Sequence, residues 1–308
     1  PDTHGSCSQS PSILESKTPL DLTEIMGNFS YYDSNMTFPD YDAVPCHNQF
    51  CPLFQRVAPA FLAVICTAAT LGTGVLFVAL AKRPHAWGWP QSRALVAQLA
   101  VGMGLFTALL PAVAVSVGQG WRLGTELCRL LHLLWHWSLF AQGLLVGSDS
   151  CSTIWCRWDP RSRRLAVALW SGALLLATPA ALASGTVGDP DTSCIRRSVD
   201  ILHPAYLLHL VLCLCLLLLL PAVLLVATLA TPWLRAGWKP SISASWLFFG
   251  LWVPYGLGLA MDFLLQAQLL PPSCGTFEHF DHALGLSEGL GVLHCCLGPV
   301  VLLATQLC

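Results

Sequence analysis

Charged side chains are scarce in this chain of 308 residues. Asp, Glu, Lys and Arg together make up 10% of it, hydrophobic residues make up 55%, and the mean hydropathy is +0.61. Soluble domains usually carry about 25% charged residues. The composition therefore excludes an ordinary soluble domain and indicates an integral membrane protein.

Lysine and asparagine are missing from places where some membrane proteins need them. Lysine occurs only at Lys17, Lys82 and Lys239, so no apolar run offers the buried amine of a retinal Schiff base. No asparagine follows Asn48. The start of the chain shows no basic segment that leads into an apolar run, so we expect no cleavable signal peptide.

Internal repeats are absent from the sequence, and polar groups near the middle of the apolar runs are few. Secondary transporters are commonly built from repeats and bind their substrate near the midplane of the membrane. A small-solute transporter is therefore a weak alternative for the function of this protein.

Seven apolar runs are present, each suited to a membrane helix, for which about 20 residues suffice. They cover residues 58–81, 94–117, 127–150, 165–182, 204–229, 246–265 and 283–307. Prolines interrupt several runs, which is tolerated where neighbouring helices satisfy the freed backbone groups. We predict an all-α membrane protein, a seven-transmembrane helix bundle over residues 57–308.

Residues 1–56 differ from the rest because they are polar and rich in Ser, Pro and Asp, without apolar periodicity. Such a segment predicts a disordered tail. The tail carries two glycosylation sequons, at Asn28 and Asn35. Glycans at these sites require an extracellular location, so we expect an extracellular N-terminal tail.

Basic residues support that orientation. With the amino terminus outside, nine of the 15 Lys and Arg residues fall in inner loops, whereas 15 of the 17 acids fall outside or in the outer parts of spans. This arrangement satisfies the positive-inside tendency. An acidic outer face attracts a basic partner; the alternative is a solvated surface without a particular partner.

Glu288 lies within the last apolar run. A carboxylate in a membrane helix costs about 2.5–3.5 kcal/mol at mid-span and less toward an end. We interpret Glu288 as facing a cavity or a partner, and the alternative is a side chain that reaches water at the end of the helix.

The cysteines divide between the two sides of the predicted membrane. Six of the 14 lie outside or at outer helix ends, where disulfides can form: Cys7, Cys46, Cys51, Cys128, Cys194 and Cys274. Six thiols allow 15 pairings, so the pattern alone leaves the pairing open. We interpret the cysteines within spans as small packing residues.

Histidines are interpreted as structural rather than metal-binding. In the run His294-Cys295-Cys296, consecutive helical residues point in different directions and cannot readily share one metal ion. His132, His136 and His209 are interpreted as hydrogen-bonded packing residues. We therefore expect no metal, no cofactor and no enzyme activity.

Several motifs resemble a known family. The seven spans, with Cys128 opening the third, are similar to a rhodopsin-class G-protein-coupled receptor, as are Trp170, Pro221 and Trp252-Val253-Pro254. Two motifs resemble chemokine receptors in particular: Trp121-Arg122-Leu123-Gly124 is similar to W-x-F-G, and the segment from His294 to Pro299 is similar to H-C-C-L-N-P.

The departures from that family fall at its signalling residues. The D-R-Y triplet falls on Ser152-Thr153-Ile154, and the tyrosine of N-P-x-x-Y falls on Leu302. The remaining polar positions are replaced as well: the buried aspartate by Met103, the asparagine of span seven by Gly298, and the asparagine of span one by a residue near Thr73. The chain thus resembles an atypical chemokine receptor that does not signal through G proteins; the alternative is a conventional signalling receptor.

The resemblance implies disulfides from Cys128 to Cys194 and from Cys274 to Cys46, with Cys51 as the alternative to Cys46. It also implies a ligand-binding set in the tail and the bundle: Tyr31, Tyr32, Asp33, Asp40, Tyr41, Asp42, Asp262, Glu278, Asp281 and Glu288. The tyrosines beside acids are candidate sulfation sites, since a sulfate would strengthen contacts to Lys and Arg.

The implied partners are basic chemokines and membrane lipid, with no nucleic acid. Association with itself or with other chemokine receptors, as homo- or hetero-oligomers, stays open. The implied location is the plasma membrane, with passage through early or recycling endosomes, and the implied role is capture, internalisation or transport of chemokine.

Overall fold

The computed structural model describes residues 50–82, 90–155, 163–187, 193–195, 203–230, 240–267, 269 and 274–307. The helices are α1 (Phe50–Lys82), α2 (Pro90–Gln119), α3 (Gly124–Trp155), α4 (Arg163–Ala183), α5 (Pro204–Leu214), α6 (Leu220–Ala230), α7 (Pro240–Gln266), α8 (Cys274–Val292) and α9 (His294–Leu307).

These helices form seven segments that are long and apolar enough to cross a membrane. The prediction of a seven-transmembrane helix bundle is confirmed. The first helix begins at Phe50, inside the segment that the sequence assigned to the tail. Residues 50–56 are too few to show a helical pattern of their own. They carry little signal for where a helix begins, because a helix can extend beyond the membrane.

Spans five and seven are not single α-helices. In span five, the π-helical turn Cys215–Leu219 joins α5 to α6 just before Pro221. In span seven, a turn at Leu293 separates α8 from α9, six residues before Pro299. Proline lacks an N–H and clashes with the carbonyl of the fourth residue before it, so a wider or broken turn on its amino-terminal side relieves the clash.

A short hairpin follows α4 that the sequence did not predict. Its strands β1 (Gly185–Val187) and β2 (Ser193–Ile195) are antiparallel, with Thr186 opposite Cys194. Strands of three residues are too short to show an alternating pattern. The hairpin lies at the end of the bundle where α3 begins, which we call the disulfide end.

The third span is at the centre of the bundle. In its most apolar stretch 61% of the residues are buried, against 17–39% in the other spans. Two glycines on α3 allow span five to pack closely: a Cβ at Gly143 would lie 3.0 Å from Leu216, and one at Gly147 would lie 2.9 Å from Leu220. Span three therefore runs between the two ends of the bundle with most of its apolar stretch packed against other spans.

Candidate functional site

A disulfide joins α3 to the hairpin. Cys128 and Cys194 are bonded, with a Cα–Cα distance of 5.6 Å across 66 residues of sequence. The hydroxyls of Thr125 and Thr186 lie 2.7 Å apart and add a second connection beside it. The hairpin is therefore attached to the first turns of span three.

The connection between α2 and α3 packs onto this disulfide. Trp121 is buried with Cys128 and Leu131, and its indole N–H donates to the carbonyl of Gly124 at 2.7 Å. Gly124 has a φ of 81°, a conformation that glycine adopts without strain. The residues that resemble W-x-F-G thus build a compact turn, with Trp121 as its buried side chain.

Three of the predicted pocket acids lie on spans six and seven and are partly buried: Asp262 on α7, and Asp281 and Glu288 on α8. Asp281 and Glu288 are two helical turns apart, about 10 Å, on the same side of α8. Spans six and seven meet between them, where a Cβ at Gly258 would lie 2.7 Å from Leu284. The structure thus places these acids on two helices that are in contact.

Other predicted residues lie outside the described part of the chain: Asn28, Tyr31, Tyr32, Asp33, Asn35, Asp40, Tyr41, Asp42 and Cys46. Cys51, Cys274 and Glu278 lie on described helices, but their side chains are not described. Pairing of Cys274 with the tail stays a prediction.

A buried polar chain, which the sequence did not reveal, crosses the middle of the bundle. The indole N–H of Trp252 lies 3.2 Å from Nδ1 of His294, and Nε2 of His294 lies 3.1 Å from Oε1 of Gln142. If Nδ1 accepts from Trp252, then Nε2 carries the proton and donates to Gln142. This assignment links spans three, six and seven through one imidazole.

The series of hydrogen bonds continues from Gln142 to span two. The amide of Gln142 donates to the carbonyl and hydroxyl of Ser138, at 3.3 and 3.2 Å, and the hydroxyl of Ser138 donates to the carbonyl of Gly102 at 2.8 Å. A Cβ at Gly102 would lie 2.7 Å from Gln142. Glycine is needed at this point for Gln142 to reach His294.

His294 has a second hydrogen-bonding option. Its Nδ1 lies 2.6 Å from the carbonyl of Gly291, a contact that requires a proton on Nδ1. Nδ1 cannot accept from Trp252 and donate to Gly291 at the same time. The imidazole is held in an aromatic setting, with the rings of Phe106 and Phe248 at centroid distances of 5.1 and 5.5 Å.

Apolar side chains replace the family's polar residues between this series of hydrogen bonds and the end of the bundle opposite the disulfide. Met103 and Leu302 are buried, and a Cβ at Gly298 would lie 2.7 Å from Sδ of Met103. The two departures are therefore one packing unit, since the missing side chain at Gly298 makes room for Met103. Thr73 is buried nearby, and its hydroxyl has no hydrogen-bond partner among the described residues.

A polar contact joins spans three and six at the opposite end. The hydroxyl of Ser150 on α3 lies 3.0 Å from that of Ser245 on α7. Thr153 lies one turn further along α3, but its side chain is not described. Spans three and six are thus joined here by a pair of neutral hydroxyls.

The fold and this site define a seven-transmembrane bundle of the receptor type, with a disulfide that attaches a hairpin to span three. No family model matches the chain. It is 33% identical to atypical chemokine receptor 1 of Papio hamadryas, over 91% of this chain and 84% of the relative. It is 32% identical to the human protein of that name over 95% and 88%, and 30% identical to the Bos taurus one over 86% and 81%.

The chain belongs to the atypical chemokine receptor 1 family, that of the Duffy antigen. By name these relatives are chemokine receptors. Gln142 is the residue through which His294 connects to span two.

Proposed function

We propose that this protein is an atypical chemokine receptor, which captures chemokine at the disulfide end of the bundle and does not activate G proteins. The packing of Met103 against Gly298 carries the proposal. Met103 and Gly298 stand at two of the positions at which signalling relatives have polar side chains.

Activation needs two states that differ in their contacts at the inner face, and a ligand shifts them only through its differential affinity. The family's Asp, Asn, Arg and Tyr residues can exchange hydrogen bonds between two such states. Met103, Gly298 and Leu302 cannot, because their side chains have no N–H or O–H group. Span six keeps Trp252 and Pro254, so this helix can still bend. The bend would exchange few hydrogen bonds at the inner face.

The ligand in this proposal is a basic chemokine. Its globular part would contact the tail at Tyr31, Tyr32, Asp33 and the segment from Asp40 to Asp42, with sulfation strengthening the contact. Its amino terminus would enter the bundle near Asp262, Asp281, Glu288 and Glu278. The position of three of these acids on spans six and seven, partly buried, supports an acidic pocket there.

Capture without signalling implies a role in removing or moving chemokine. The protein would lie in the plasma membrane with its disulfide end and glycosylated tail outside, and would carry bound chemokine into early or recycling endosomes. Oligomers with itself or with other chemokine receptors are compatible with the exposed apolar faces of the spans, which also contact lipid.

The test uses cells that express the full chain and a labelled basic chemokine whose binding to them has first been demonstrated. A signalling chemokine receptor that binds the same chemokine is the matched control. We expect saturable binding and uptake by both receptors, and G-protein nucleotide exchange only with the control. Robust ligand-dependent exchange with this chain would show a conventional signalling receptor instead.

A further inference from the structure

Spans three and five bring two imidazoles and a thiol together inside the bundle. His136 on α3 and His209 and Cys213 on α5 are 0%, 4% and 0% exposed. One ligand atom from each lies within 4.8 Å of the other two. His209 and Cys213 are four residues apart, so both face the same side of α5.

The distance between Cys213 and His209 suits a tetrahedral metal ion. Zn²⁺ binds imidazole nitrogen at about 2.0–2.1 Å and thiolate sulfur at about 2.3 Å, so neighbouring N and S ligands should be about 3.5 Å apart. Sγ of Cys213 lies 3.6 Å from Nε2 of His209 and 3.8 Å from its Nδ1. The rings of His136 and His209 are 4.4 Å apart by centroid and nearly perpendicular, at 88°. This edge-to-face contact has to open by about 1 Å for both rings to bind one tetrahedral ion.

The hydrogen bond of His136 selects the nitrogen that would bind the metal. Its Nδ1 lies 2.8 Å from the carbonyl of His132, so Nδ1 carries the proton as donor and Nε2 keeps its lone pair. Metal-binding histidines commonly donate their other N–H to a backbone carbonyl in this way. His136 thus has both the ligand atom and the supporting contact.

A nearby cluster of two cysteines and a histidine cannot bind a metal ion through its sulfurs. Cys128, His132 and Cys194 also lie within ligand distance of one another, but both sulfurs are in the disulfide and cannot form thiolates. His132 is partly exposed, and its ring lies 6.3 Å by centroid from that of His136.

We propose that His136, His209 and Cys213 form a Zn²⁺ site that joins span three to span five, with one coordination position left unfilled by these side chains. The site lies directly before the π-helical turn Cys215–Leu219. Bound Zn²⁺ would therefore hold span five in place beside span three at the point where its helix changes geometry.

The experiment uses the full chain, purified in lipid nanodiscs and stripped of metal with a chelator. Zn²⁺ binding is measured by metal analysis and by the shift in thermal unfolding, and Co²⁺ is the spectroscopic substitute. We expect one Zn²⁺ per chain, a higher Tm with Zn²⁺, and a Co²⁺ spectrum with a thiolate charge-transfer band.

Cys213→Ser and His209→Gln each remove a ligand atom. Each should therefore weaken Zn²⁺ binding by more than about 10-fold, which is the lower bound for losing only a contact that supports a ligand, and remove the Tm shift. The matched control is Cys215→Ser, because Cys215 is exposed and lies only two residues along span five. It should leave Zn²⁺ binding unchanged. His203→Gln, at an exposed histidine just before α5, controls for surface binding.

His209→Cys tests ligation separately from packing, because it keeps a ligand at that position and should retain Co²⁺ with a stronger charge-transfer band. Absence of stoichiometric Zn²⁺ from the wild-type chain would overturn the proposal. So would Zn²⁺ binding that survives Cys213→Ser but is lost in His203→Gln, since that result would place the metal on the surface.

Discussion

The disulfide end and the opposite end of the bundle differ in the kind of contact that holds them together. At the disulfide end, the Cys128–Cys194 bond, the Thr125–Thr186 pair and buried Trp121 fix the hairpin and the α2–α3 turn. Toward the opposite end, Met103 packs on the position of Gly298. The contrast indicates that a receptor bundle can keep a covalently fixed disulfide end while apolar packing replaces polar residues toward its other end.

The polar chain through His294 lies between these two regions. It joins Trp252 to Gln142, and through Ser138 it reaches Gly102. Each buried hydrogen bond of this kind contributes about 0.5–1.5 kcal/mol, while an unsatisfied partner costs about 1–3 kcal/mol. These hydrogen bonds therefore stabilise the middle of the bundle without a charged side chain.

The largest expected effect is at the disulfide end. Cys128→Ser should lower the free energy of unfolding by about 2–5 kcal/mol and abolish chemokine binding, because the hairpin loses its covalent attachment. The measurements are thermal unfolding and ligand binding on cells. Cys66→Ser, at a partly buried free thiol, is the control; equal losses in the two variants would contradict a special role for the bond.

Gly291→Ala should have the next largest effect, on the middle of the bundle. The added Cβ would lie 2.7 Å from two ring carbons of Trp252, whose fully buried indole cannot move away. We expect a loss of about 1–3 kcal/mol, measured by thermal unfolding. At Gly250 on the same span as Trp252, a Cβ meets nothing within 4 Å, so Gly250→Ala should be neutral or stabilising; equal Tm losses would show that the contact does not matter.

A double-mutant cycle tests whether Met103 and Gly298 form one unit. Gly298→Ala should destabilise by about 1–2 kcal/mol because its Cβ meets Sδ of Met103. The same change should cost about 1 kcal/mol less in a Met103→Ala background, since the flexible thioether is gone. Additive Tm changes would show that the two departures are independent. Gly74→Ala, where a Cβ has open space, is the control.

The smallest effect is expected in the tail. Tyr41→Phe should lower affinity for a basic chemokine several-fold, about 1 kcal/mol, by removing the oxygen that a sulfate would occupy. Higher salt should slow association with the wild-type chain, since electrostatic steering is screened. Tyr31→Phe should have a weaker effect. Binding that is unchanged by both Tyr41→Phe and salt would remove the tail from the capture step.

Much of the fold could be predicted because membrane helices carry their signal locally. An apolar run of sufficient length has to satisfy its own backbone groups in lipid, so composition alone selects a helix. The departures at Met103, Gly298 and Leu302 were also readable, since each replaces a polar residue at a fixed place in a motif.

Other features could not be predicted from local patterns. Gln142 and Ser138 are polar residues in a central helix, and nothing beside them in sequence indicates that His294, 152 residues from Gln142, completes their hydrogen bonds. The approach of His136 to His209 and Cys213 is of the same kind, because it depends on how two helices pack.

The sequence by itself determined that the chain spans a membrane seven times, and it showed which family its motifs resemble. Both follow from side-chain character along a single segment, and hydrophobic length is a local property. Only the tertiary structure decided which buried polar groups meet. A helix presents several side chains in different directions, and the rotation and depth of each span, set by contacts such as Gly143 with Leu216, select the ones that face a partner.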